Sequence, residues 1–353
     1  MIVQQRDVKG GIASVIEGYY GSSLESDYDL TYIEGYCDGN KVNKIKKFLL
    51  GFLGFCSLLK KDTPDLVHIH SSFGPSFTRK RFYINKAFKT GIPIVNHIHG
   101  ADFDNFYTNT SERKKKIIRN CYSKCDIIVV LSDEWKELIS NIVPPEKIRV
   151  IENYSIPQDI SLVQEKFTER FNNKQVLFLG EIGQRKGAYD LPSIISKVHD
   201  QVPEAKFIIA GSGDIEGVKN ALRPDDYQAV SFPGWLRGTA KEEALWRSSL
   251  FLLPSYNEGL PMSILDAMGY GLPIVSTNVG GIPKLVFKNS KGVSNGILSI
   301  PGELAKLSSD IVYYLTDPNA QYQAGIASLD IVNQLYSFDN HIRKLEEVYG
   351  ELL

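Results

Sequence analysis

The sequence is short of most features that mark a specialised class of chain. Only four cysteines occur among 353 residues, Cys37, Cys56, Cys121 and Cys125, with no Cys-x-x-Cys pair and no tight cluster with histidines. That excludes a disulfide framework and a zinc-finger ligand set, and it fits a reducing compartment. Long hydrophobic runs are also missing. The longest, over residues 48–59, is about half of the roughly 20 residues needed to span a bilayer. The opening Met1-Ile2-Val3-Gln4-Gln5-Arg6 has no apolar stretch of the signal-peptide kind. Charge of one sign is absent too: the net charge is −1, so nothing global attracts nucleic acid. No repeat or low-complexity tract competes with a globular reading. A cytoplasmic protein is expected.

What is present is an ordinary globular composition, 43% hydrophobic and 23% charged. A length of 353 residues exceeds the roughly 100 to 200 usual for one domain, so two are expected. The halves differ in charge. Residues 1–155 carry 22 Lys and Arg against 18 Asp and Glu, leaving 18 against 23 of the totals of 40 and 41. Such asymmetry marks a surface-binding half or arises by chance.

Short apolar runs bounded by turn residues alternate with helical stretches, the pattern of parallel sheets covered by helices on both faces. Strands are expected at 66–70, 94–98, 127–131 and 148–151, and again at 175–179, 206–210, 230–232, 250–253 and 273–276. The polar stretch 152–174 reads as an interdomain linker with an exposed segment. This predicts an α/β chain of two doubly wound, Rossmann-like domains, over 1–155 and 156–330, with a C-terminal helix over 331–353 packing back on the first. Ligands of such sheets sit at the carboxyl ends of the strands, so two facing domains imply a cleft. Before polar Gln5-Arg6-Asp7 only Ile2-Val3-Gln4 is available for an opening strand, which is short or begins upstream.

The sharpest segment runs from Leu252 through Pro254-Ser255-Tyr256-Asn257-Glu258-Gly259-Leu260-Pro261 to Asp266 and on to Pro273. It reads as a buried strand, a polar turn and a helix starting at Pro261. Free N–H groups and the positive dipole end at such a start favour a diphosphate. Glu258 and Asp266, roughly two turns apart, can each accept hydrogen bonds from a diol. The plainer alternative is that Glu258 caps the helix and Asp266 is solvated. A second segment, Phe178-Leu179-Gly180-Glu181-Ile182-Gly183-Gln184-Arg185-Lys186-Gly187, ends a strand in a turn carrying two adjacent cations suited to a diphosphate, or a solvated arginine.

Over these residues the chain resembles the retaining GT-B glycosyltransferases of family 4, also called glycosyl transferases group 1. The resemblance lies in the family's Glu, seven residues, Glu motif, and extends over P-S-Y-N-E-G-L-P and A-M-G-Y-G-L-P-I-V-S-T. It implies that Glu258 contacts the hydroxyls of the donor sugar, Asp266 the ribose, and the backbone at Gly259, Leu260 and Pro261 the phosphates. Asp266 stands where the family has Glu, one methylene shorter. Lys186-Gly187 matches the end of the family's G-R-x-x-x-x-K-G loop, with Glu181 in the usual Arg position and Arg185 as the substitute cation. Lys9-Gly10-Gly11-Ile12-Ala13-Ser14, by itself an ordinary turn, resembles the family's Gly-Gly loop over the reacting centre. His97-Ile98-His99-Gly100 ends a strand with both histidines on one face. His99 matches the family's His-Gly pair beside the donor sugar, while His97, His68 and His70 read as structural. With no further ligand evident near His97 and His99, no metal site is expected. Gly211 resembles the family's glycine turn in the nucleotide half, and Trp235-Leu236 falls where the base is read, although Trp235 serves equally as packing.

The resemblance implies a same-face, retaining transfer of a hexose-type sugar from a UDP- or GDP-sugar to a saccharide or lipid-linked acceptor. Bacterial cell-surface polysaccharide or lipid-linked glycan assembly is the expected setting. The nucleotide sugar is a substrate, no cofactor is expected, and nucleic acid is not a partner. His99, Glu258, Lys186 and Arg185 are the expected catalytic residues. Residues 41–61, basic at both ends around an apolar middle, suit a helix resting on anionic lipid at the inner face of the plasma membrane, or a buried helix with a solvated basic start. A GT-B sugar-nucleotide epimerase and a non-catalytic sugar-nucleotide binding protein are the alternatives.

Overall fold

The computed structural model describes residues 1–100 and 102–353. The chain divides into two compact units, Met1–Asn153 with Asp339–Leu353, and Tyr154–Phe338. In the first, six strands form one parallel sheet: β1 (Ile2–Val3), β2 (Ile33–Glu34), β3 (Val67–Ser71), β4 (Ile94–Ile98), β5 (Ile127–Val130) and β6 (Ile148–Val150), in the order β2-β1-β3-β4-β5-β6. Strands β3, β4 and β5 are buried along their whole length; β5 is a continuous apolar run, as strands covered on both faces usually are, whereas β3 and β4 bury His68, His70, Asn96 and His97 within theirs. Ile69, Ile94 and Ile128 pack there with Phe55, Tyr83, Ile84 and Tyr122 from the covering segments. The strand order reverses between β1 and β3, so the loops leaving their carboxyl ends diverge and open a crevice there.

The second unit has β7 (Gln175–Ile182), β8 (Lys206–Gly213), β9 (Val230–Gly234), β10 (Leu250–Leu253), β11 (Ile274–Thr277) and β12 (Gly296–Ser299), again all parallel, in the order β12-β11-β10-β7-β8-β9. This is the doubly wound order of nucleotide-binding sheets, with its switch between β7 and β10. Both sheets match the expected α/β class. The two-residue β1 is the short opening strand, and β2 and β12 were not anticipated; two residues carry no periodicity from which β2 could be read.

Three expectations are corrected. The stretch 152–174 is a linker only at its start, where the boundary between the units falls after Asn153; the rest holds the helix Ile160–Asn173, capped by Asp159 Oδ1 accepting from Ser161 N at 2.7 Å, with Val163 and Arg170 buried. Val163, Phe167 and Phe171, four residues apart, were the legible helical signal. Next, β7 and β8 run on through segments expected to be turns. Gly211 lies inside β8 opposite Gly180, and a Cβ on it would stand 1.7 Å from Gly180 O; the glycine allows strand packing rather than a turn. Finally, 331–353 is not one helix. The helix Pro318–Leu335 ends, and Phe338–Gly350 starts anew, because Ser155 N donates to Tyr336 O at 2.8 Å and Phe338 N to Ser155 O at 3.1 Å, pulling the intervening backbone into a bridge.

One buried cation makes the first unit sensitive to pH. Lys80 is 5% exposed, and its Nζ donates to Ile2 O at 2.9 Å and Val3 O at 3.3 Å. Burial, with Arg79 alongside, pushes its pKa down to about 7. A lysine pKa below its unfolded value means the unfolded chain holds more protons in that window. Stability from this group is therefore complete above the unfolded pKa and is lost as pH falls toward 7. The difference in urea stability between Lys80→Met and the native chain is expected to shift in favour of the native chain by roughly 1–3 kcal/mol between pH 7 and pH 9; a pH-independent difference would contradict this.

Candidate functional site

In the second unit the loops that follow β7 and β10 diverge from the switch point, and the expected donor residues lie on them. After β10 the chain turns through Ser255, Tyr256 and Asn257 to Glu258, which is 5% exposed. Ser255 Oγ donates to Glu258 Oε1 at 2.8 Å, and Thr277 Oγ1 at the end of β11 donates to Ser255 O at 2.5 Å. The helix Met262–Gly269 follows, with Pro261 at its N-cap and no side chain capping its first turn. Ser263 Oγ is buried there without a partner. Glu258 is therefore not a cap but a buried carboxylate beside an uncapped helix start, where N–H groups favour an anion.

The loop after β7 brings the charge that Glu258 needs. Gln184–Lys186 form a single 3₁₀ turn closed by Gly187 at φ 69°. A side chain at 187 would be strained by that angle, and its Cβ would fall 1.9 Å from Pro254 O. This turn sets Lys186 Nζ 2.6 Å from Glu258 Oε1, with only 12% of the lysine side chain exposed. Burial pulls the Lys186 pKa down and Glu258 pushes it back up. Arg185 stands further out: Nη1 is 3.6 Å from Glu258 Oε2 and donates to Asn257 O at 3.2 Å, while Nη2 reaches Glu181 Oε2 at 3.3 Å. Tyr256 N donates to Arg185 O at 2.9 Å. Glu258, Lys186 and Arg185 are thus brought together, and Glu181 joins them as a partner of Arg185.

Asp266, partly buried on the helix Met262–Gly269, is paired: Lys241 Nζ of the helix Gly238–Arg247 lies 2.6 Å from its Oδ2. Gly259 and Leu260 are held from below, with Gly281 N donating to Gly259 O at 2.8 Å. A Cβ on Gly280, whose φ is 53°, would meet Glu258 O at 1.9 Å. Trp235 and Leu236 follow β9, half-buried. Lys241, Ser255 and the Gly280-Gly281 turn were missed from sequence. The pair of glycines after β11 was the one available signal.

In the first unit Gly10, at φ 133°, precedes the helix Gly11–Glu17 in the loop after β1, at that sheet's switch point. His99 follows β4: its backbone N donates to Ser71 O at 2.9 Å, and its Nε2 shares a hydrogen bond with His70 Nδ1 at 3.0 Å. Its ring stacks on His97 at 4.1 Å. Parallel pairing of β3 with β4 sets His70 opposite His97, so the expectation of no further ligand beside His97 and His99 is corrected: His68, His70 and His97 each place a ring nitrogen within 4.8 Å of the others. Burial pushes all three well below the usual histidine pKa and His99 down to about 3, leaving neutral imidazoles.

A buried carboxylate, two cations and an open helix N-terminus at the switch point of a doubly wound sheet stand where such sheets take anionic ligands. Comparison with known proteins agrees. The family described as Glycosyltransferase Family 4 matches residues 27–154, and Glycosyl transferases group 1 matches 173–317. The chain belongs to the GT-B glycosyltransferases of these families. An uncharacterised glycosyltransferase of Methanocaldococcus jannaschii is 28% identical over 279 residues, covering 73% of this chain and 69% of that protein. A UDP-Gal:α-D-GlcNAc-diphosphoundecaprenol α-1,3-galactosyltransferase of Escherichia coli is 25% identical over 333 residues, covering 87% and 80%. A 2-deoxystreptamine N-acetyl-D-glucosaminyltransferase of Niallia circulans is 30% identical over 152 residues, which is 42% of this chain and 38% of that protein. Among solved structures, sucrose-phosphate synthase of Thermosynechococcus elongatus superposes with a TM-score of 0.76 at 15% identity, covering 99% and 98%. Anabaena HepE in complex with UDP-glucose gives 0.70 at 18%, covering 99% of each. These show the fold.

Removing one partner of a buried ion pair leaves the other uncompensated, at about 3–5 kcal/mol. Lys186→Met is expected to destabilise the second unit by several kcal/mol, and adding Glu258→Gln is expected to recover part of that loss. Urea unfolding of the three variants checks this; equal, additive losses would argue that the pair is not coupled.

Proposed function

We propose that this chain is a retaining hexosyltransferase that moves a sugar from a UDP- or GDP-sugar to a saccharide acceptor, in bacterial cell-surface polysaccharide or lipid-linked glycan assembly. The observation that carries the reading is the Lys186 ammonium 2.6 Å from the buried Glu258 carboxylate, beside an uncapped helix start at the switch point. In this reading Glu258 accepts from donor-sugar hydroxyls, and Arg185, Lys186 and the N–H groups around Gly259, Leu260 and Pro261 hold the diphosphate. Asp266, paired with Lys241, takes the ribose, and Gly211, Trp235 and Leu236 lie along the nucleotide. In the first unit, His99, Gly10 and Gly11 lie on the loops that leave the carboxyl ends of β4 and β1 and keep the roles that the family resemblance implies. The acceptor oxygen bonds to the anomeric carbon on the face from which the diphosphate departs, so configuration is retained, and its proton passes to the diphosphate oxygen freed when the sugar–phosphate bond breaks. The protein's part is electrostatic: fixed cations and N–H groups meet the charge that grows on the leaving group.

The relatives' names support this reading, since one acts from UDP-Gal on a lipid diphosphate sugar and another structure holds UDP-glucose. Incubation with UDP- and GDP-hexoses and oligosaccharide or polyprenyl-diphosphate sugar acceptors is expected to release nucleoside diphosphate only with acceptor, and proton NMR of the product to show the donor's anomeric configuration. Lys186→Ala and Glu258→Ala are each expected to lower kcat/KM by about 100-fold or more. Transfer retained within about threefold by both would remove this site assignment.

The same reading places the enzyme against anionic lipid. On the helix Lys41–Lys61 only Phe55 and Leu59 are buried, while Val42, Ile45, Leu49 and Leu53 form an exposed apolar stripe at helical spacing among lysines. Among the described residues no helix is long and apolar enough to cross a membrane. Flotation with vesicles containing phosphatidylglycerol is expected at low salt and is expected to weaken for Leu49→Ser/Leu53→Ser; absence of flotation at low salt would remove membrane contact.

A further inference from the structure

The first unit contains a second cluster of chemically able side chains that the transfer reaction leaves unused. His68 and His70 are alternate residues of β3, and His97 is the neighbour of His70 on β4, so one face of two adjacent strands carries all three rings. They are 1%, 1% and 0% exposed. Among the described residues no protein group reaches His68 Nε2, His70 Nε2 or either nitrogen of His97. An unmet buried polar atom is costly, and a concentration of them on one patch calls for an occupant.

On His68 and His70 the opposite nitrogen is engaged. His68 Nδ1 shares a hydrogen bond with Tyr349 OH at 2.6 Å, and His70 Nδ1 with His99 Nε2 at 3.0 Å. This is how metal-binding imidazoles are held: the outer nitrogen is fixed by a partner, and the inner one is left as a lone pair. We propose that His68, His70 and His97 bind one late first-row divalent cation, Zn²⁺ being the best fit, as a structural site that ties β3 to β4.

Three imidazole nitrogens suit zinc, with water or hydroxide completing four-coordination. Metal–nitrogen bonds of about 2.0–2.1 Å set ligand nitrogens about 3.4 Å apart. From within 4.8 Å of one another, rotation about the soft ring torsion of histidine closes that difference. His99, the half-exposed member of the stack, gives the ion its route inward. His341 is not a ligand: its two nitrogens already meet Tyr19 OH and Glu152 O, each at 2.7 Å.

The test uses the full chain expressed in medium supplemented with zinc or, separately, cobalt, then desalted and assayed by mass spectrometry for metal. About one ion per chain is expected, and the cobalt form is expected to show the intense visible absorption of a four-coordinate nitrogen site. His68→Gln and His97→Gln should lose the metal, whereas His341→Gln should keep it. Fewer than about one ion per ten chains, or a cobalt spectrum of the weak six-coordinate kind, would overturn the site. Equal metal in the native chain and in His68→Gln/His97→Gln would do the same. The native cobalt spectrum decides by itself if the variants fail to fold.

Discussion

The second unit is organised around a buried carboxylate that must be neutralised. Glu258, 5% exposed, is paired with Lys186, and Lys186 reaches it only because Gly187 turns left-handed against Pro254. Ser255, Gly280 and Gly281 brace the same loop from the β10 and β11 side. The two loops that diverge at the sheet's switch point are thereby locked to each other, and the helix start at Pro261 is held open beside them. A site fixed in this way needs little reorganisation on binding, and that is the property the proposed electrostatic catalysis draws on.

The first unit obeys the same topology with different chemistry. Its switch point is occupied by the Gly10-Gly11 turn, and beside it a stack of neutral histidines lies where an aliphatic layer would be expected. Burial keeps the imidazoles uncharged, so the stack is compatible with a closed core. Its unmet nitrogens, however, make it a polar patch in the interior of that sheet.

Much of this was legible in the sequence because it is local. Apolar runs such as 94–98 and 250–253 mark strands buried on both faces, and Pro261 after a polar turn marks a helix start. Arg185 and Lys186 after a strand mark an anion-binding turn. The misses are also physical. The helix Ile160–Asn173 hides behind polar residues because a surface helix needs only one apolar face. Glu181 and Gly211 were placed in turns because a strand's end is decided by its neighbour: β7 and β8 continue for as long as each pairs with the other. The break at Tyr336 depends on Ser155, which nothing nearby in the chain announces.

By itself the sequence determined the α/β class, the two sheets and the residue types at the donor site, since strand periodicity, turn chemistry and helix starts are settled within a few neighbouring positions. Only the tertiary structure decided who meets whom. That Lys186 neutralises Glu258, that Lys241 holds Asp266, and that His68 and His70 lie against His97 all follow from strand order and register. Those are set by packing between segments distant in the chain, and no local pattern encodes them.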